Sequence, residues 1–214
     1  MLKAVIFDFD YTLGDSTNGI AASINYALEV MGHGVRPIDE IKKTVGHHLT
    51  VAYTMLTGIE NQEEGAEFAR LFIVKANEVM VANTTMYEGS KECLQALQGQ
   101  GIKTAIVTTK NHGRIEDILK KFEASELVEL IVGGDDVKCA KPSPEGLLWA
   151  MDHLGVEAEE VLYVGDSIVD AKTAEAAGVE FAAVLTGTTT REEFAEFECK
   201  AVCEDISELH KELI

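Results

Sequence analysis

Two aspartates lie two positions apart at the end of the first apolar stretch of the chain, in the sequence VIFDFDYTL. Asp8 and Asp10 carry like charges directly after residues that are typical of a buried strand. Because carboxylates repel each other and are costly to bury, we expect a cation to lie between them. The pair therefore predicts a charged site at the end of a strand.

Three further stretches place polar residues after apolar runs or ahead of a helix: Thr108 in VTTKN, Lys141 in CAKPSPE, and Asp166 with Asp170 in VGDSIVD. Each one alone has an ordinary reading as a helix cap, a strand-end hydroxyl or a solvated loop charge. At one edge of one sheet, however, the carboxylates would form a hard oxygen site for Mg²⁺. Thr108 and Lys141 would then offer a hydroxyl and an ammonium to the oxygens of a phosphate.

Short apolar runs predict the strands that carry these residues. The runs cover residues 3–7, 103–108, 130–132, 161–164 and 181–185. Their lack of polar alternation is typical of a parallel sheet covered by helices on both faces. We therefore predict an α/β fold, with a doubly wound, Rossmann-like parallel sheet whose carboxyl edge binds ligands.

Helical patterns separate the strands. SPEGLLWAMDHLG begins with Ser143 as the predicted N-cap and stops at Gly155, RIEDILKKF has one apolar face, and DAKTAEAAG ends at Gly178. Residues 16–82 show helical periodicity and no convincing strand, so we predict an all-helical insert there. The predicted domains are a core of residues 1–15 and 83–214 and a helical cap of residues 16–82. Because the insert follows the first strand, we expect it to act as a lid at the carboxyl edge.

The composition limits the classes of partner. The chain has 37 acidic and 18 basic residues and a formal net charge of −19, which disfavours nucleic acid and anionic membranes as partners. No apolar run is long enough for a membrane span, and the first residues lack the layout of a signal peptide. The four cysteines lack a CxxC pair, so we expect free thiols and a cytoplasmic location. We expect a monomer or a weak homodimer.

The four polar stretches, in this order and spacing, resemble the motifs of the haloacid dehalogenase superfamily, and the resemblance covers essentially the whole chain. The helical insert is similar to the small C1-type cap of that superfamily. GGDDV before KPSPE, together with VTTK and LTG, looks most like the phosphoglycolate phosphatase group. The resemblance implies a Mg²⁺-dependent phosphatase that acts on a small phosphorylated metabolite, either phosphoglycolate-like or a sugar phosphate.

The resemblance also implies roles for the acidic residues. Asp8 would be the nucleophile that forms an aspartyl-phosphate and a ligand of Mg²⁺. Asp10 would be the general acid and base, and its backbone carbonyl would reach the metal. Asp166 would be a Mg²⁺ ligand, and Asp170 would support Asp166 or the lysine. This mechanism is compatible with the physical demands of phosphoryl transfer, which are mainly positioning and charge stabilisation.

The remaining roles concern phosphate and substrate. Thr108 and the amide of Thr109 would hold phosphate oxygens, and Lys141 would offset their charge. The superfamily usually has glycine where this chain has Tyr11, and we expect the larger side chain to affect the size of the substrate. His47 and His48 lie where such caps place a specificity loop, so we expect at most one of them to face the leaving group.

Other functions share parts of this pattern. A phosphomutase of the β-phosphoglucomutase type would have the same four motifs but would protect its aspartyl-phosphate from water. A dehalogenase is disfavoured because Asp10 is retained. A receiver-like phosphoacceptor or regulatory module also uses acidic residues, threonine and lysine around Mg²⁺, but the helical insert and the spacing of Asp8 and Asp10 disfavour it.

Overall fold

The computed structural model of this chain describes residues 1–213 and divides into two compact units. The first unit contains Met1–Asp15 and the chain from Met86 onward, and the second is Ser16–Thr85. Ile214, the last residue of the predicted core range, lies outside the described residues. The chain therefore leaves the first unit once, directly after its first strand and turn, and returns once.

The elements are numbered here in chain order. The strands are β1 (Ala4–Phe7), β2 (Gly14–Asp15), β3 (Thr85–Met86), β4 (Lys103–Val107), β5 (Leu130–Val132), β6 (Val161–Gly165), β7 (Glu180–Val184) and β8 (Ala201–Cys203). The helices are α1 (Thr17–Val30), α2 (Ile38–Lys42), α3 (Leu49–Thr57), α4 (Gln62–Val79), α5 (Ser90–Gly99), α6 (His112–Lys121), α7 (Glu145–Leu154), α8 (Ile168–Ala177), α9 (Arg191–Phe194) and α10 (Ile206–Leu213).

The first unit is built on a six-stranded parallel sheet with the order β5-β4-β1-β6-β7-β8. The central strand β1 pairs with β4 and β6 in a register that sets Phe7 beside Ile106 and Val164. All four β1 side chains are buried, because helices cover both faces of a parallel sheet. The residues that follow β1, β4 and β6 consequently emerge at the same carboxyl edge.

The predicted fold class, an α/β Rossmann-like parallel sheet, is confirmed. Each of the five predicted strands is present within one or two residues of its expected ends. The sixth strand, β8, was not predicted, because its three residues lie in a polar stretch and only Cys203 is buried. At α7 the predicted cap differs by one position, since the helix begins at Glu145 with Pro144 at the N-cap. The Ser143 hydroxyl still accepts the Glu145 N–H at 3.3 Å.

The second unit contains α1 to α4 and has an apolar core of its own. Its largest buried side chains include Tyr53 and Phe68, whose rings pack 5.5 Å apart. The Tyr53 hydroxyl contacts His33 Nε2 at 3.0 Å and donates to Glu64. The unit continues past residue 82 to Thr85, and there the Thr84 hydroxyl donates to a carbonyl at the end of α4.

Two further observations bear on the sequence-based expectations. Cys93, Cys139, Cys199 and Cys203 are all free thiols. Among residues 1–213, none of the helices combines the length and the apolar character that crossing a membrane would require.

Candidate active site

The site begins in the turn that follows β1. The Asp8 N–H still donates to a β6 carbonyl at 2.8 Å, so Asp8 is held in line with the strand. The chain then folds back, and the N–H groups of Leu13 and Gly14 both donate to the Phe9 carbonyl, at 2.9 and 3.0 Å. This tight turn keeps Asp8 and Asp10 at the carboxyl edge of the sheet, with the Asp8 side chain buried.

Tyr11 occupies a strained position inside this turn. Its φ of 60° lies in the left-handed region, which glycine adopts readily and other residues adopt at a cost of about 1 kcal/mol. The Thr186 hydroxyl donates to the Tyr11 carbonyl, and the Tyr11 N–H donates to the Gly14 carbonyl at 2.7 Å. The backbone therefore explains why glycine suits this position. The Tyr11 side chain is buried.

Lys141 is the cation that contacts Asp8. Its Nζ lies 3.0 Å from Asp8 Oδ2 and 2.6 Å from Asp170 Oδ1, and its side chain is buried. Burial alone would lower the pKa of Lys141, but the charges of Asp170 and Asp8 outweigh that effect and raise it above its usual range. Lys141 is therefore a permanently charged bridge between residues from two different strand ends.

Asp166 and Asp170 follow β6, on either side of the start of α8. Ser167 is the N-cap of that helix and forms a capping box with Asp170, whose Oδ2 accepts the Ser167 hydroxyl at 2.5 Å. One carboxylate oxygen each of Asp8, Asp166 and Asp170 lies within 4.8 Å of the others. A side chain at Gly187 would overlap Asp166 Oδ2, so the loop after β7 approaches this carboxylate closely.

Thr108 and Thr109 follow β4, next to β1 in the sheet. Thr108 is buried, its N–H donates to a β5 carbonyl at 3.0 Å, and its hydroxyl accepts the Lys110 N–H at 3.3 Å. A side chain at Gly134 would overlap the Thr109 carbonyl, so the loop after β5 packs directly on this turn. The Gly134 N–H also donates to the Lys110 carbonyl at 2.9 Å.

Lys110 contacts the second aspartate of the pair and had no predicted role. Its Nζ lies 2.8 Å from Asp10 Oδ2, and both side chains are largely buried. The sequence did contain a signal, since Lys110 directly follows the two threonines in VTTKN. A lysine in a loop is usually a solvated charge, so its identity alone does not indicate the contact with Asp10.

The electrostatics of the site favour an additional cation. Burial raises the pKa of Asp8 to about 6 although Lys141 opposes the shift, and burial together with the charges of Asp170 and Asp8 raises the pKa of Asp166 well above its usual range. Asp8 Oδ1 and Asp10 Oδ1 are buried without a hydrogen-bond partner among residues 1–213. Formally, two lysines face four carboxylates here. A divalent ion would remove the excess negative charge, and carboxylate oxygens are the ligands that Mg²⁺ prefers.

The structure thus brings five of the predicted site residues into one cluster. Asp8 and Asp170 both contact Lys141, an Asp166 oxygen lies within 4.8 Å of oxygens of both these aspartates, and Asp10 belongs to the turn that follows Asp8. Thr108 and Thr109 lie at the neighbouring strand end. Besides Lys110, sequence reasoning gave no role to Tyr163, or to Thr186 and Gly187 in LTG. Their roles could not be predicted because contacts such as that of the Tyr163 hydroxyl with the Val107 carbonyl form only in the folded sheet.

His47 and His48 lie in the second unit. His48 is the N-cap of α3, and its Nδ1 contacts the Thr50 hydroxyl at 2.9 Å. Burial lowers the pKa of His47, which keeps that ring neutral to a lower pH. The local role of His48 is therefore to begin a helix.

Both a protein-family model and individual known proteins match this chain over most of its length. The model of a family described as haloacid dehalogenase-like hydrolase matches residues 5–184. The chain is 34% identical, over 98% of its own length and 90% of the relative's, to the phosphoglycolate phosphatase of Rhodospirillum rubrum. It is 29% identical, over 98% of its length and 95% of the relative's, to the phosphoglycolate phosphatase of Nitrosospira multiformis.

A solved structure is also similar along the whole chain. A Bacteroides fragilis protein described as a haloacid dehalogenase-like hydrolase superimposes with a TM-score of 0.94 and 39% sequence identity. The alignment covers 98% of this chain and 100% of that one. The similarity therefore includes both the sheet and the helical segment.

Proposed function

Since the chain belongs to the haloacid dehalogenase-like hydrolase family, we propose that it is a Mg²⁺-dependent phosphatase that hydrolyses a small phosphorylated metabolite through an aspartyl-phosphate. The observation that carries the proposal is the contact of Lys141 with Asp8 beside Asp166 and Asp170 at the carboxyl edge of the sheet. Phosphoglycolate is the first substrate to test, because the curated relatives above are phosphoglycolate phosphatases.

The donor set fits Mg²⁺. Asp8 and Asp166 would supply carboxylate oxygens, and Asp10 would supply its backbone carbonyl. Asp170 is better suited to support, because both of its oxygens already accept protein donors: Oδ1 accepts from Lys141, and Oδ2 accepts the Ser167 hydroxyl. When bound, the ion would offset negative charge on the phosphate and on Asp8.

The protein residues would act in two steps. Asp8 attacks phosphorus, the bond from phosphorus to the leaving oxygen breaks, and Asp10 gives that oxygen a proton. Water then attacks the phosphorus, Asp10 takes a proton from it, and the bond between phosphorus and Asp8 breaks to release inorganic phosphate. Splitting the hydrolysis in this way replaces one difficult step by two easier ones.

The surrounding residues would hold the phosphate. The Thr108 hydroxyl and the Thr109 N–H would donate to phosphate oxygens, and Lys141 would offset charge on both the phosphate and Asp8. The net charge of −19 favours a small phosphorylated molecule over nucleic acid or an anionic membrane as the partner. A cytoplasmic location and a monomer or weak homodimer remain predictions.

The test is a turnover screen with phosphoglycolate, sugar phosphates, nucleotides and pyrophosphate, each with Mg²⁺ and with a chelator. We expect phosphate release that requires Mg²⁺, and we expect Asp8→Asn to lose at least about a thousandfold in kcat because an amide cannot attack phosphorus. Asp152→Asn, on the exposed side of α7, is the matched control and should retain the wild-type rate.

Two results would contradict the proposal. Activity of Asp8→Asn within tenfold of wild type would exclude Asp8 as the nucleophile. Interconversion of sugar phosphates without net phosphate release would identify a phosphomutase instead.

A further inference from the structure

The hydroxyl of Tyr163 contacts two side chains of the candidate site and one main-chain carbonyl at the end of β4. Tyr163 is a fully buried residue of β6. Its oxygen lies 2.9 Å from Asp170 Oδ1, 3.2 Å from Lys141 Nζ, and 3.1 Å from the carbonyl of Val107, the last residue of β4. One hydroxyl therefore connects the end of β4 and the start of α8, the helix after β6, to the lysine of the site, and β4 and β6 are the two strands on either side of β1.

These contacts form a closed triangle. Lys141 Nζ is 2.6 Å from Asp170 Oδ1, and both atoms contact the Tyr163 oxygen. Since the Tyr163 and Asp170 oxygens are only 2.9 Å apart, they occupy the same side of the ammonium. An ammonium has three N–H donors, and Tyr163, Asp170 and Asp8 are all within hydrogen-bond distance of it, so a phosphate oxygen on the Asp8 side would share the N–H that points to Asp8.

We infer that Tyr163 is a positioning residue, which with Asp170 fixes one side of the Lys141 ammonium so that the other side faces Asp8 and a phosphate oxygen. The inference deepens the proposed function and rests on it. Tyr163 itself would not touch the substrate. It would act through Lys141, whose long side chain has several rotamers to lose when it is held in one direction.

The anchor of the triangle is the main chain of a buried strand. The Val107 carbonyl belongs to β4, the strand that continues into Thr108. A fixed distance from this carbonyl through Tyr163 to Lys141 would keep the lysine at a constant position relative to Thr108 and Thr109, which form the threonine turn after β4. Catalytic groups held within about half an ångström of their working positions retain far more activity than loosely held ones.

The substitution Tyr163→Phe tests the hydroxyl alone. The Lys141 ammonium also lies 5.9 Å from the centre of the Tyr163 ring, and phenylalanine would keep that ring. We expect Tyr163→Phe to raise the inhibition constant of inorganic phosphate and to lower kcat, each by about two- to tenfold, as for loss of one ordinary hydrogen bond. The Kd of Mg²⁺ should remain within about twofold of wild type, because Lys141 and Tyr163 are not proposed metal ligands.

Tyr53→Phe is the matched control. Tyr53 is equally buried, and its hydroxyl also has two side-chain partners, but it lies in the second unit. We expect a comparable fall in melting temperature with no change in the inhibition constant of phosphate. A purely structural role for Tyr163 would give the same pattern in both variants, with unchanged phosphate inhibition, and would overturn the inference.

A second measurement does not depend on the variant. In a crystal structure of the wild type with Mg²⁺ and inorganic phosphate, we expect Lys141 to contact a phosphate oxygen while Tyr163 and Asp170 stay within hydrogen-bond distance. Departure of Lys141 from Tyr163 on phosphate binding would overturn the inference. If the wild type hydrolyses phosphomonoesters but the triangle opens, only the inference is wrong; a wild type without phosphatase activity would contradict the proposed function.

Discussion

Lys141 and Lys110 each hold one of the two aspartates that follow β1. Lys141 contacts Asp8 at 3.0 Å and Lys110 contacts Asp10 at 2.8 Å, and all four side chains are at least largely buried. Removing either lysine would leave a buried carboxylate without its partner, which is more costly than losing an exposed ion pair. The two cations therefore explain how a chain with so much negative charge can bury this pair.

The candidate metal site leads to a prediction about pH. Burial raises the pKa of Asp8 to about 6, so in the metal-free protein the neutral carboxyl is favoured by folding. The stability that comes from this protonated form is complete below about pH 4 and is lost as the pH rises through about 6. The proposed Mg²⁺ would bind the ionised form of Asp8, so its stabilising effect should increase over the same range.

We therefore expect Mg²⁺ to raise the melting temperature of the wild type more at pH 7.5 than at pH 5. At a hundredfold excess over its Kd, the rise at pH 7.5 should be about 5 °C or more. In Asp166→Ala the rise should be absent at both pH values, while Asp152→Ala should respond as the wild type does. Equal responses of wild type and Asp166→Ala would show that Asp166 is not a ligand.

The sequence shows the identity of Tyr11 but not its backbone conformation or its distant hydrogen-bond partner. Its departure from glycine was visible in DFDYT, but the φ of 60° and the hydrogen bond from Thr186 were not. Thr186 is 175 positions away, and only the folded sheet brings the two together. The sequence therefore showed only that glycine is replaced here, whereas the structure shows the backbone conformation and the hydrogen bond that hold the turn.

At the scale of elements, the strands that carry the site were the most predictable. β1, β4 and β6 are mainly apolar runs that are followed by polar residues, so their positions could be predicted. β8 could not be predicted, because two of its three residues are only half-buried at the edge of the sheet. Contacts between loops, such as that of Gly187 with Asp166, depend on tertiary packing and leave no periodic signal.

A contact between two loops also holds the threonine turn in place ahead of α6. Asn111 is the N-cap of α6, but its side chain makes no capping bond. Instead, Asp135 of the loop after β5 accepts the Asn111 side-chain amide at 2.5 Å and the His112 N–H at 2.8 Å. A carboxylate from another loop thus performs the capping, and it also ties that loop to the turn of Thr108 and Thr109.

We expect Asp135→Ala to raise the KM of the phosphomonoester by about three- to tenfold, because the threonine turn would lose its brace, and to cost about 1 kcal/mol of stability, as other lost caps do. Asp205→Ala is the matched control, since the exposed Asp205 carboxylate accepts the Glu208 N–H at 2.9 Å at the start of α10. Kinetics and thermal unfolding of both variants would be compared. A similar loss of stability with an unchanged KM in both would show that Asp135 only caps the helix.

At the scale of the whole molecule, the order of helices and strands could largely be predicted, whereas the exact residue at which the second unit ends could not. The second unit runs from Ser16 to Thr85, whereas the periodicity suggested an end near residue 82. The difference arises because Asn83 and Thr84 still donate to carbonyls at the end of α4, and Ser16 contacts Thr84 at 2.9 Å. Hydrogen bonds of this kind extend a unit beyond its last periodic residue.

The position of β1 in the sheet has a consequence for synthesis on the ribosome. The first strand to be made, Ala4–Phe7, must wait for both of its neighbours, because β4 and β6 are translated much later. Residues 16–85 form a compact unit from one continuous segment, so they can fold while β1 is still unpaired. In ribosome-bound chains stalled before β6 is exposed, we expect proteases to spare the helical segment and to cut around β1. Protection of β1 in those chains would mean that the nascent sheet assembles in a different order.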